Sequence, residues 1–549
     1  MEDFVNQARS WTLLAVLTLS LGCKTEEEAK QGDFIQLSPR ESLIRLSIDL
    51  RGSMPSEAEL QAIEANPALY EAFVDRYLDD PALAETVANL MDQRLLMRTG
   101  GTYDLMAPGY SAEELRVAVN NEQAALVRRI VDNDLPWSEI VTADYTMANP
   151  VLAEALNLDY PTGARGWEKA KYTDGRQHAG ILTMSTTWLR YPSAGGNANR
   201  SRANAVSKML LCDDYLSRPI VLNRAAVDQL TVDPETAIST NASCQSCHST
   251  LDPLAAHFFG FFVYDDDDPT EGGAATYRPE REEGWRYYSN KSPGYYGTPT
   301  GNLEELGALV AEDQRFVDCA VQTVWEGLTQ RTMVGEDWQE LSGHTDVFME
   351  NGLRLKPLLR SIVNSEEYLA KYVLDEALSV RMAGVKTASP QQLSNIVAHS
   401  TGFRWEFGGR DLLTDQGSGV PVLLGGIDSL SVQKRSYNPS VGTVFVQKRL
   451  AYAAAWHVVE RDFAADNTQP ELMKWVLVED TPDSNPEGFE EQIRQLYLHV
   501  TGVPLAARAP EPAGLVTLWR QVHSVEGSPK KAWASVITAV LRDPTVIAY

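Results

Sequence analysis

Leu43-Ile-Arg-Leu-Ser-Ile-Asp-Leu-Arg51-Gly52-Ser-Met-Pro55-Ser56-Glu-Ala-Glu59 reads as the end of one helix, a turn and the start of a second helix. Leu43, Ile44, Leu46, Ile48 and Leu50 supply the apolar surface, and Gly52 and Pro55 stop the element. Ser56 followed three residues later by Glu59 has the form of a capping box, which opens the next helix. Outward from here the pattern continues through Phe73, Val74, Tyr77 and Leu78 to Asp80-Pro81. Leu83 to Leu96 is another amphipathic helix, and Glu113 to Asp132 is expected as one more.

The same punctuation returns at Ile493 to Pro504, where Thr501-Gly502-Val-Pro504 echoes Arg51-Gly52-Ser-Met-Pro55. A third version runs from Phe316 to Gln330 and on through Lys356 to Tyr368. These copies are too few and too unevenly spaced for a solenoid. The fold class expected is mainly α, with several packed helical modules. Gly260 to Pro299 is rich in Asp, Gly, Tyr and Pro and is expected as a long irregular loop region.

The chain has 549 residues and a formal net charge of -27, with 48 Lys and Arg against 75 Asp and Glu. That charge disfavours nucleic acid as a partner, because phosphate backbones are held by clustered cations. Near the N-terminus, Trp11 to Leu21 is apolar but too short to span a bilayer, and it suits the core of an export signal. Its Leu-Ser-Leu-Gly-Cys23 ending resembles a lipobox, which would make Cys23 a lipid attachment point. Ser20 in place of the usual Leu, and Glu2 and Asp3 beside Arg9, depart from that pattern. The expected division is therefore 1–22 signal peptide of lipoprotein type, 23–37 tether, 38–132 N-terminal helical domain, 133–375 motif-bearing domain and 376–549 C-terminal helical domain.

The motif is Cys244-Gln-Ser-Cys247-His248, followed by Leu251-Asp252-Pro253. Cys-x-x-Cys-His is the attachment signature of a c-type haem: two thiols bond the vinyl groups and the histidine ligates the iron. The competing readings are a Cys244–Cys247 redox disulfide and half of a zinc site. With Cys23 taken by lipid, Cys212 and Cys319 remain, and in an oxidising compartment they can close a disulfide across the flanks of the motif; two separately buried thiols are the alternative.

Arg45 to Leu60, His178 to Met184, Asn199 to Asn204 with Leu210-Leu-Cys212, Cys244 to Pro253, and Val317 to Trp325 together resemble the planctomycete-type cytochrome-associated domains of unknown function. The resemblance implies an exported protein of helical modules carrying a c-type haem motif. Cys244 and Cys247 would hold the haem, with His248 on the iron and Met184 as candidate sixth ligand; Met209, Met333, His178 and His257 are weaker candidates. Arg190, Arg200 and Arg202 are candidate propionate partners.

Asp265 to Asp268 with Glu271 offers hard oxygens for Ca²⁺, but without the spacing of an EF loop a solvated acidic loop is the better reading. His-Glu-x-x-His, Gly-x-Ser-x-Gly and phosphate-binding loop patterns are absent, so an electron carrier is favoured over a hydrolase. The expectation is a cell-envelope lipoprotein, periplasmic or at the cell surface, exchanging single electrons with an envelope redox partner. The alternatives are a haem enzyme of peroxidase type with an open sixth site, and a non-haem binding or assembly protein.

Overall fold

A computed structural model describes residues 34–191, 193, 196–219, 224–262, 276–373, 383–506 and 508–549. The expected signal peptide, Cys23 and the acidic run at 265–268 lie outside the described residues. The protein is mainly α. Among the described residues no helix is long and apolar enough to cross a membrane.

The helix α1 (Pro39–Arg51) is the axis on which distant parts of the chain converge. Ser38 and Glu41 form its capping box, Pro39 occupies the first turn, and Gly52 closes it at φ 70 with its N–H on the Ile48 carbonyl. Leu43, Leu46 and Leu50 are fully buried, yet so are Arg45, Ser47 and Asp49 on the other faces. Buried polar groups are normally bonded, and each of these three side chains makes at least one such bond. Arg45 donates to the carbonyls of Tyr368, Ala370 and Gly384. Asp49 accepts from the hydroxyls of Tyr368 and the C-terminal Tyr549, each at 2.7 Å, and pairs with Lys386.

Helices α2 (Glu57–Ala65), α3 (Tyr70–Leu78) and α4 (Leu83–Leu95) follow, α2 opening on the Ser56/Glu59 capping box. The single helix expected over Glu113 to Asp132 is two: α5 (Ala112–Val119) and α6 (Glu122–Asp132). The break falls at Asn120, whose side chain accepts from the amides of Thr99 and Gly100 and donates to the carbonyls of Gly101 and Arg116. An amide that bonds backbone this way competes with helix continuation. The short α7 (Glu139–Thr142) leads to a three-stranded antiparallel sheet of β2 (Thr146–Ala148), β3 (Leu158–Asp159) and β4 (Glu168–Tyr172) in the order β2-β4-β3, with α8 (Pro150–Leu156) between β2 and β3.

Next come α9 (Ser185–Leu189), α10 (Arg200–Leu210), α11 (Arg224–Val232), α12 (Pro234–Thr240) and α13 (Ala242–Ala255). The described parts of the expected loop region hold short helical turns and a two-stranded hairpin. A 3-10 segment Ala256–Phe261 buries Phe258, Phe259 and Phe261. Gly260 lies so close to the Tyr277 ring that a Cβ there would sit 2.2 Å from it. Further on are α14 (Trp285–Tyr288), the hairpin β5 (Gly294–Tyr295) and β6 (Thr298–Pro299), α15 (Leu303–Glu312), α16 (Gln314–Thr329), α17 (Trp338–Glu350), α18 (Leu355–Val363) and α19 (Glu366–Leu369).

Strand β7 (Ala370–Val373) pairs antiparallel with β1 (Phe34–Gln36). The end of the expected tether is therefore a strand, because the Phe-Ile-Gln segment finds a free edge to pair with. Later helices at Pro390–Thr401, Val441–Asp462, Pro486–Thr501, Glu511–Glu526 and Pro529–Val540 share the main apolar core, which includes residues from Leu43 to Ile547. Two of the echoed helix ends meet: Gly502, also at φ 70, accepts from Arg40 Nε, and a Cβ on it would lie 2.7 Å from Met54 Cε.

Candidate functional site

The helix α13 carries the motif. Asn241 caps it by accepting from the Ser243 amide at 3.0 Å. Positions separated by three and four residues share one face of a helix, so Cys244, Cys247 and His248 lie side by side. Both cysteines are half-buried free thiols, Cys247 packing at the edge of the core.

His248 Nδ1 lies 3.0 Å from Asp252 Oδ1, one turn further along α13. Asp252 is gripped by Arg200 of α10, with Nε 2.7 Å from Oδ1 and Nη2 3.1 Å from Oδ2. Burial alone would raise the Asp252 pKa, but the hydrogen bonds from His248 and Arg200 and the Arg200 charge hold it below the ordinary carboxylate value. A carboxylate only accepts hydrogen bonds, so Nδ1 is the donor in this contact and Nε2 is the nitrogen that a ligand would meet. The Asp252 side chain is 3% exposed, whereas that of His248 is 23% exposed. Thr250 bridges the Cys247 carbonyl and the Tyr215 hydroxyl.

Cys212, just beyond α10, is disulfide-bonded to Cys319 of α16, with Cα atoms 5.3 Å apart. The bridge fixes the far end of the helix that presents Arg200. Among the described residues no three His, Cys, Asp or Glu side chains converge as a metal-ion cage. Haem attachment needs no such cage, because only the histidine of the motif meets the iron.

The other candidates are dispersed. Met184 is wholly enclosed in the main core at the N-terminus of α9, and Met209 is buried there too. His178 Nε2 accepts from the Tyr172 amide at 3.0 Å. The three arginines proposed for propionates are committed internally. Arg200 holds Asp252; Arg202, fully buried, donates to Tyr191 O, Asn199 Oδ1 and Phe261 O; Arg190 donates to Leu96 O. Burial lowers the Arg202 pKa to about 9. Asp252 and Arg200 are the partners that sequence reading did not assign to the histidine. The His-x-x-x-Asp spacing on a helix was a readable sign of the first, while Arg200 comes from another helix.

His257 is buried, with Nδ1 3.1 Å from the Leu254 carbonyl and Nε2 2.5 Å from Thr300 Oγ1. Burial pushes its pKa from 6.5 down to about 4. Between those values the unfolded chain binds a proton that the folded chain refuses, so stability falls as pH drops through this window. The loss is on the order of 3 kcal/mol for a depression of this size. A His257→Gln variant should lose less stability than wild type between pH 6.5 and 4 in urea titrations; equal losses would contradict this assignment.

Residues 37–158 match a family model described as a protein of unknown function (DUF1592). The matched stretch covers α1 to α8 and ends before the Cys244–His248 motif. No curated protein and no solved structure matches the chain.

Proposed function

We propose that the protein is an exported, lipid-anchored monohaem c-type cytochrome, related to the planctomycete-type cytochrome-associated proteins, that passes single electrons to or from an envelope partner. Cys244 and Cys247 would form the two thioethers and His248 would ligate the iron through Nε2. When bound, the haem supplies one-electron chemistry. The observation that carries the reading is the arrangement on α13: two free, half-buried thiols and a histidine on one face, with its Nδ1 already engaged by Asp252.

The sixth position is assigned to no residue: Met184 is wholly enclosed in the core. An open sixth position would give a haem enzyme on the same scaffold. Protein exported in a host with cytochrome c maturation is expected to keep its Soret band through acid-acetone extraction, and a Cys244→Ala/Cys247→Ala variant to lose it. A folded, colourless wild-type protein would overturn the proposal.

A further inference from the structure

We propose that Asp252, held by Arg200, is a positioning residue that makes His248 an electron-rich ligand and lowers the midpoint potential of the haem. The inference rests on the haem reading above. A histidine whose far nitrogen donates to a backbone carbonyl faces a neutral acceptor. Here Nδ1 faces a carboxylate at 3.0 Å, with a full negative charge. Such a partner fixes the tautomer and ring orientation and raises the basicity of the ligating nitrogen. A more basic ligand stabilises the more positive, oxidised iron. Because the Asp252 side chain is 3% exposed, water screens this charge poorly.

Arg200 acts on the same carboxylate in the opposite electrical sense. Its two bonds, 2.7 and 3.1 Å, keep Asp252 in place, while its positive charge withdraws part of the negative charge that reaches His248. The two residues therefore hold the geometry together but pull the potential apart. A role in orientation alone would make their removal alike; a role in tuning makes the effects opposite.

The test uses the full-length protein with its haem attached, in wild-type, Asp252→Asn, Arg200→Gln and Arg200→Lys forms, with the midpoint potential read by spectroscopic redox titration and folding checked by thermal melts. Asp252→Asn keeps the shape and removes the charge. It is expected to raise the reduced-to-oxidised ratio at a fixed potential about tenfold, or ~59 mV for one electron. Arg200→Gln is expected to shift the potential downward and Arg200→Lys to stay near wild type. Shifts of the same sign for Asp252→Asn and Arg200→Gln, or no shift in either, would overturn the inference while leaving the haem reading intact. Should Asp252→Asn fail to fold, equal potentials for Arg200→Gln and Arg200→Lys would overturn it. A wild-type protein without haem would overturn the haem reading and this inference with it.

Discussion

Replacing Cys212 and Cys319 by alanine is expected to destabilise the protein by about 4 kcal/mol. The bridge spans 107 residues. A cross-link over a loop of that size removes much of the conformational freedom of the unfolded chain, and losing it costs ~2–5 kcal/mol. The segment it closes includes α11 to α15, the turns after the motif and the motif itself, so the destabilisation should also reach α13. The measurement is the urea midpoint of the double variant against the oxidised wild type. Coincident midpoints would show that packing of α10 on α16 suffices without the bond.

Asp49→Ala is expected to cost ~3–5 kcal/mol, because it would leave the Lys386 ammonium buried without its counter-charge. Lys386 is 0% and Asp49 3% exposed. Asp49 also accepts from the hydroxyls of Tyr368 and Tyr549, which would lose a charged acceptor. Lys386→Met should be milder, since an apolar chain of similar length replaces the ammonium and Asp49 keeps two hydroxyl donors. Comparing the two denaturation midpoints checks the account. Equal losses would mean that Asp49 acts only as the partner of Lys386 and does not tie α1 to the C-terminus.

Much of the helical skeleton was legible because its signals are local. Ser56 with Glu59, Gly52 at the end of α1 and Gly502 at the end of Pro486–Thr501 are read within one turn of chain, and all three stand where the patterns put them. The spread of Leu43, Ile44, Leu46, Ile48 and Leu50 around α1 also agrees with burial on every side. What escaped was set by partners far along the chain. Tyr368 and Tyr549 reach Asp49 from 319 and 500 residues away, and no local pattern distinguishes such an aspartate from one on a solvated face. Asn120 read as part of a helix because most of the backbone groups it bonds, at Thr99, Gly100 and Gly101, lie in a different loop.

At the candidate site, Cys-x-x-Cys-His was visible as a string, and helical periodicity places its three residues on one face. The buried salt bridge behind it was only half visible, Asp252 by its spacing and Arg200 not at all. Pairing Cys212 with Cys319 followed from counting cysteines, whereas their closeness depends on how α10 packs against α16. The arginines read as propionate partners show the converse. Their charge is conspicuous in the sequence, whereas the bonds they make to Asp252 and to backbone carbonyls depend on the fold.

The central claim is covalent attachment of haem at Cys244 and Cys247. Its most direct test is the denaturing mass spectrum of the protein exported in a host that matures c-type cytochromes, with alkylation of free thiols beforehand. The account predicts a mass one haem above that of the Cys244→Ala/Cys247→Ala variant exported in the same host, after allowing for the two substitutions, with Cys244 and Cys247 unalkylated. A folded protein without that added mass, with both thiols alkylated, would contradict it.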